Sequence, residues 1–277
     1  MLFGAHVSVG GGIQNAPKNA ADIGCEVFQI FTRSPQGGFV PEINETAVRQ
    51  FLDGVKMYDL KEWYVHTPFF INFASGNPRI KHSSISVVRE ELERASLLQA
   101  KYLMTHLGSY KDLGHDLGCA QVVQCLAEML KDYKGKTKFL VEISAGSGEI
   151  IGDTFEEIAE IIHHPKLKKY KIGVCFDTQH AFASGYDLRD EKAVEKTLEK
   201  FDKIIGLENL KLIHGNDSLT EFGSHKDRHE HIGYGLIGKK GFEAMIKNIK
   251  LKDINFILET EYDLVIEDLK LLKKIRG

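Results

Sequence analysis

Cysteine is scarce in this 277-residue chain and never closely paired: Cys25, Cys119, Cys125 and Cys175 form no CxxC and sit mostly in apolar segments. Their spacing excludes a disulfide framework and a cysteine-rich zinc site, and leaves core packing as the expected role of all four. Proline is also sparse, at 6 residues, with no proline-rich linker, no low-complexity tract and no obvious repeat. Nothing therefore marks a domain boundary. No stretch resembles a membrane span, and the opening MLFGAHVSVGGG lacks a basic region followed by a long apolar run. The expectation is a cytoplasmic protein without membrane contact. Surplus positive charge is missing too: a formal charge of −3 argues against a broad basic face that would grip nucleic acid through many phosphates.

What is present is a chain 43% hydrophobic and 27% charged, enough to bury one sizeable core, so residues 1–277 are expected to form a single domain. Short β-type runs alternate with longer amphipathic stretches throughout. The runs are Leu2 to Val7, Glu26 to Phe31, Glu62 to His66, Lys101 to His106, Lys138 to Ile143, Lys171 to Asp177, Leu210 to His214 and Asn255 to Thr260. Between them lie segments such as ISVVREELERASLLQA and CAQVVQCLAEMLKDY, whose apolar residues recur at three and four positions, as in a helix packed on one face. Eight such βα units predict an α/β fold, a (β/α)₈ TIM barrel.

In that architecture the active site lies where the strands end. Six of the eight runs finish at or beside a potential metal ligand: His66, His106, Glu142, Asp177, His214 and Glu259. A single histidine at a strand end is ordinarily a core or loop residue; six such endings converging on one mouth point to a metal centre. Two pairs add to them: Asp177 with His180 in FDTQHAF, and Asp227 with His229 in KDRHEH. Alone they would read as a helix cap and a charged loop. Following runs six and seven, they bring the mouth to five histidines and four carboxylates.

Imidazole with carboxylate suits zinc or manganese, and nine candidate ligands exceed the needs of one ion. Two or three clustered ions favour in-line displacement at phosphorus, where they neutralise phosphate oxygens and stabilise both the attacking and the leaving oxygen. Three divalent ions would also carry the formal charge from −3 to +3, all of it gained at one spot.

The segments GAHVSVGGG, VHTPFFIN, HLGS, VEISAGSGEIIG, GVCFDTQHAFASGYD, HGNDS, FGSHKDRHEHIG and ILET resemble, in order and spacing, the successive motifs of the endonuclease IV family. The resemblance spans nearly the whole chain. It implies a (β/α)₈ barrel carrying three Zn²⁺, acting on double-stranded DNA and cutting the backbone on the 5′ side of an abasic site to leave a 3′-hydroxyl and a 5′-deoxyribose phosphate. It assigns His66, His106 and Glu142 to one zinc, and Glu142, Asp177, His214 and Glu259 to a second. Glu142, bridging the two, is the expected catalytic residue. His180, Asp227 and His229 would hold the third. Departures from the family pattern fall outside these ligands: Gln36 and Gly38 in the loop after the second strand, Phe69 where Tyr is common, Gln179 where Cys is common, and Tyr234 where Glu is usual. Phe69 and Gln36 are the expected DNA-contacting residues, Phe69 as a wedge for the gap left by the missing base, and the chain is expected to act as a monomer.

Other candidates have plainer roles. His6 reads as a supporting or core residue, GGG at 10 to 12 as a βα turn, KLKKYK at 166 to 171 as solvated surface, and His163 and His164 as helix-end residues; His82, His115 and His225 are assigned nothing. Two other functions are compatible with the fold: a metal-dependent sugar isomerase or epimerase, and a noncatalytic DNA-lesion binder. The third ligand set has no obvious use in the first, and intact Glu142 and Glu259 argue against the second.

Overall fold

The computed structural model describes residues 1–38 and 40–277. Eight parallel strands close into a barrel: β1 (Phe3–His6), β2 (Val27–Ile30), β3 (Glu62–His66), β4 (Tyr102–Thr105), β5 (Lys138–Glu142), β6 (Gly173–Asp177), β7 (Leu210–His214) and β10 (Asn255–Leu258). The last of these pairs with the first, so no edge is left unpaired. A two-residue hairpin, β8 (Asp217–Ser218) against β9 (His229–Glu230), sits on the connection out of β7. Each expected run contains one barrel strand, trimmed by zero to two residues at either end.

The helices form the outer layer: α1 (Ala16–Asp22), α2 (Glu45–Met57), α3 (Pro78–Leu97), α4 (His115–Leu130), α5 (Phe155–Ile162), α6 (Thr178–Ala183), α7 (Glu191–Ile204), α8 (Gly238–Lys247) and α9 (Val265–Arg276). Their starts follow from local chemistry. The side chains of Asn44, Asn77, Thr154 and Asp190 accept from free first-turn amides, and Pro78, needing no donor, occupies the first helical position of α3. The turn before α1 requires Gly12, whose φ of 129° would strain any residue with a β-carbon.

The two-residue period of the strands sorts their side chains. One set faces the helices and builds the main core. The other faces the barrel axis, where Val27, Tyr64, Tyr102, Leu140, Leu212 and Ile257 form a compact inner cluster. Tyr64 and Tyr102 stack at 5.9 Å, and Tyr64 Oη donates to Glu62 Oε2 at 2.7 Å, filling the N-terminal end of the barrel. Two residues further along most strands the inward column turns polar: Gln29 after Val27, His66 after Tyr64, Glu142 after Leu140, His214 after Leu212 and Glu259 after Ile257. The same pleat that fills the lower barrel with apolar groups thus delivers a layer of polar side chains to its mouth, four of them potential metal ligands.

Candidate metal centre

Glu142 lies at the middle of that layer, fully buried, with four imidazoles around its carboxylate. His66 Nε2 is 2.9 Å from Oε2, while His214 Nδ1, His180 Nδ1 and His106 Nε2 lie 3.0, 3.5 and 3.7 Å from Oε1. His66, His106 and Glu142 offer donor atoms within 4.8 Å of one another, and so do Glu142, Asp177, His214 and Glu259. A third group joins Asp177, His180 and His229 by the same measure. Asp227 stands beside it, with Oδ1 3.3 Å from His180 Nε2 and 3.6 Å from His229 Nε2. All nine expected ligands therefore converge, and Asp177 reaches towards the His180 pair more closely than the assignment from sequence allotted it. Asp177 is also the N-cap of α6, its Oδ1 accepting from the His180 amide at 2.8 Å, so the plainer helix-cap role and the cluster role coexist on its two oxygens.

Each of the five histidines has one ring nitrogen against a backbone carbonyl or a non-ligand side chain and the other against a carboxylate of the cluster, and His180 Nδ1 lies near Glu142 as well. His66 Nδ1 donates to the Thr67 carbonyl at 2.7 Å, His180 Nδ1 to that of Ile143 at 2.9 Å, and His214 Nε2 to Gln29 Oε1 at 2.8 Å. His106 Nδ1 faces Ser144 Oγ, and His229 Nδ1 faces the Glu259 carbonyl, both at 3.4 Å. Outer hydrogen bonds of this kind fix tautomer and ring orientation at metal sites and leave the opposite lone pair for the ion.

The electrostatics point the same way. Burial opposes charge on Glu142, but the surrounding imidazoles outweigh it and hold its carboxyl well below its ordinary range. Burial likewise disfavours protonated imidazoles, yet Asp177, Asp227 and Glu142 push His180 up to about 10, and neighbouring acids raise His66 and His214. These directions favour protons held between the carboxylates and the rings when no ion competes. A cation accepting the same lone pairs would replace them, so the donor set fits a divalent ion such as zinc in chemistry and enclosure.

Supporting residues extend beyond those read from sequence. Gln29, fully buried, donates to Glu259 Oε1 at 2.6 Å and to His6 Nδ1 at 3.1 Å while accepting from His214. His6 accordingly serves as a neutral acceptor, its pKa lowered to about 4 by burial. Asn216 ties two strands together, donating to Asp177 Oδ2 at 2.6 Å and accepting from the Glu259 amide at 2.8 Å. Gln179 donates to the Lys226 carbonyl at 2.9 Å and so holds the residue before Asp227. The signal for Gln29 was a polar side chain at a position that the pleat aims inward; Asn216 lies two residues beyond the end of β7.

Above the cluster opens a cleft of about 670 Å³, lined by His66, His106, His180, Asp227, His229 and Glu259 together with Phe31, Phe69 and Tyr262. Phe69 is 69% exposed and meets Phe31 edge-on at 5.3 Å, whereas Phe73 is fully buried and takes the core role in that segment. Gln36 is exposed in the β2–α2 loop next to Pro35, whose carbonyl accepts from the Phe69 amide at 3.1 Å. That loop is anchored from below: Glu91 on α3 is fully buried and accepts from Thr32 and Arg33, each at 2.6 Å. Tyr262, 63% exposed, also lines the cleft and is an aromatic that no motif singles out. Among the described residues no helix is long and apolar enough to cross a membrane.

Residues 17–275 match the family model of xylose isomerase-like TIM barrels. A probable endonuclease 4 from Halothermothrix orenii is 40% identical over 94% of this chain and 93% of its own length, and one from Nitrosopumilus maritimus is 37% identical over 100% and 99%. The crystal structure of endonuclease IV from Thermus thermophilus superposes with a TM-score of 0.87 at 28% identity, covering 99% of this chain and 98% of that one. A D-tagatose 3-epimerase-like protein superposes at 0.75 with 21% identity over 99% of this chain and 97% of that one, a likeness of fold alone. With full-length relatives at this level of identity and a layer of imidazoles and carboxylates at the strand ends, the chain belongs to the endonuclease IV family of DNA-repair nucleases.

Proposed function

We propose that this protein is a three-zinc apurinic/apyrimidinic endonuclease that hydrolyses the phosphodiester 5′ to an abasic site in double-stranded DNA, leaving a 3′-hydroxyl and a 5′-deoxyribose phosphate, and that it works as a cytoplasmic monomer. The observation that carries this reading is the set of five imidazoles, each with one nitrogen occupied outside the cluster and the other turned towards shared carboxylates. His66, His106 and Glu142 would hold one zinc, Glu142, Asp177, His214 and Glu259 a second, and His180, Asp227 and His229 the third. Bound there, zinc supplies positive charge against the phosphate oxygens and acidifies water at neutral pH.

The chain's own residues do the rest. Glu142 faces His66 with Oε2 and His106 and His214 with Oε1, and as a member of both sets it would link them. Gln29 and Asn216 hold Glu259 by its side chain and its backbone amide, so the last strand's ligand cannot swing out of the layer. Phe69 and Tyr262 give the cleft apolar lips, suited to an extrahelical sugar and to the gap it leaves. Gln36, exposed on the loop that supports Phe69, would contact the DNA backbone.

An abasic oligonucleotide duplex, incubated with the zinc-loaded protein and scored for both binding and nicking, tests the reading. Nicking on the 5′ side of the lesion, with intact duplex left uncut, is expected. Binding without nicking would make the protein a lesion binder, and neither binding nor nicking would favour a sugar epimerase.

A further inference from the structure

Away from the barrel mouth, a second group of donors is assembled from two helices. His115 and Cys119 stand one turn apart at the start of α4, on one face, and Glu157 meets them from the first turn of α5. Imidazole nitrogen, thiol sulfur and carboxylate oxygen all lie within 4.8 Å of one another. His115 Nε2 is 3.7 Å from Cys119 Sγ and 2.5 Å from Glu157 Oε1. None of the three lines the catalytic cleft.

The atoms not facing that common point are already held. Asp116 Oδ1 lies 3.1 Å from His115 Nδ1, the Gly152 amide donates to Glu157 Oε2 at 2.8 Å, and the Tyr110 ring meets the imidazole edge-on at 5.3 Å. A carboxylate behind a histidine and a backbone amide behind a carboxylate are the outer partners that orient ligands at metal sites. Cys119 and Glu157 are largely covered while His115 is exposed, so an ion could enter from solvent.

We propose that His115, Cys119 and Glu157 form an additional zinc site, separate from the catalytic cluster, with water as the fourth ligand. A donor set of one nitrogen, one sulfur and one oxygen selects a borderline-soft ion such as zinc over magnesium or calcium. Bonds of about 2.0–2.3 Å in a tetrahedron set ligand atoms roughly 3.3–3.7 Å apart. The His115–Cys119 separation already satisfies that, and Glu157 reaches it by drawing back about 1 Å from the imidazole, a side-chain rotation. Without an ion, burial and the Glu157 carboxylate push the Cys119 thiol up to about 12. On binding, the S–H bond breaks, its proton and the one shared between His115 and Glu157 pass to water, and the thiolate's lone pair forms the bond to the metal. The ion would clip α4 to α5, beneath two loops already joined by the Ser109–Ile150 bridge.

The test adds Co²⁺ to the purified full-length protein with its catalytic zinc in place. A thiolate-to-cobalt charge-transfer band in the near ultraviolet, saturating at about one added ion per chain, is expected. Cys119→Ser should abolish the band and His115→Ala should weaken cobalt binding at least tenfold, both with the nicking rate of the parent protein. Since His115 is exposed, its variant tests the site even if the cysteine variant folds poorly. Absence of the band in the parent protein, its persistence in Cys119→Ser, or unchanged cobalt affinity in His115→Ala would each overturn the proposal.

Discussion

Gln29 Oε1 accepts a hydrogen bond from His214 Nε2 at 2.8 Å, which turns His214 Nδ1 towards Glu142 and Glu259. A residue that is not itself a ligand thereby decides which nitrogen of a ligand faces the cluster. Gln29→Leu fills similar space but leaves His214 free to tautomerise or turn. The expected result is a 10–100-fold loss of metal affinity, measured as zinc retained against a competing chelator. Unchanged retention would remove Gln29 from the metal centre's supporting set.

Purified protein should contain close to three tightly held zinc ions per chain at the barrel mouth, counted apart from any ion at His115, Cys119 and Glu157, and prolonged chelation should remove nicking together with the metal. Elemental analysis finding one ion or fewer in active enzyme would contradict the assignment. The pKa directions add a pH dependence. His66, His180 and His214 hold protons above their ordinary range when no ion competes, so zinc uptake by the stripped protein should release protons and weaken as pH falls.

Glu142→Gln keeps the shape of the central side chain but removes its charge from among four imidazoles. Turnover should fall by orders of magnitude while abasic duplex still binds. Near-normal cleavage in a single-turnover experiment would show that the bridge lies elsewhere.

Phe69→Ala removes an exposed aromatic from the cleft lip and very little from the core. Binding to abasic duplex should weaken by about 1–3 kcal/mol, the range for one lost stacking partner, with zinc content and Tm almost unaffected. Normal binding by a folded variant would move the wedge role to Tyr262 or Gln36.

Glu26 joins the outer layer to the first strand, accepting from Arg276 at 2.8 and 2.9 Å and from the Phe3 amide at 2.9 Å. Burial opposes its charge, but Arg276 and that amide prevail and hold its carboxyl below the ordinary 4.5. Stability from a depressed acid is present above that value and fades as pH falls through the folded one. Glu26→Gln should therefore cost roughly 1 kcal/mol near neutrality, the upper range for a partly exposed pair, and flatten the acid limb of Tm against pH. An acid limb as steep as the parent's would refute this account.

Most of the barrel was legible because its code is local. A run's length and its terminal residue are read within ten positions, and all eight runs and the six ligand endings came from that window. Gln29 was not legible by that route: it sits one residue inside the end of its strand, and an amide is not a zinc ligand. Finding it requires pairing β2 with its neighbours and projecting the pleat inward. His115, Cys119 and Glu157 were illegible for a different reason, since only the packing of α4 on α5 brings Glu157 to the other two, 42 residues away from His115 in sequence. The exposure of Phe69 likewise depends on the backbone turn beyond β3, which the run PFFINF leaves open.

The ligands run from His66 to Glu259, and Glu259 directly follows the strand that closes the barrel. A chain emerging from the ribosome therefore carries eight of the nine groups well before it has the ninth, and until β10 slides between β1 and β7 the mouth has a missing stave. On the proposed assignment, a stalled or truncated product lacks Glu259 and with it the second set of four, so the proposed nuclease centre is complete only in molecules whose synthesis has passed the final strand.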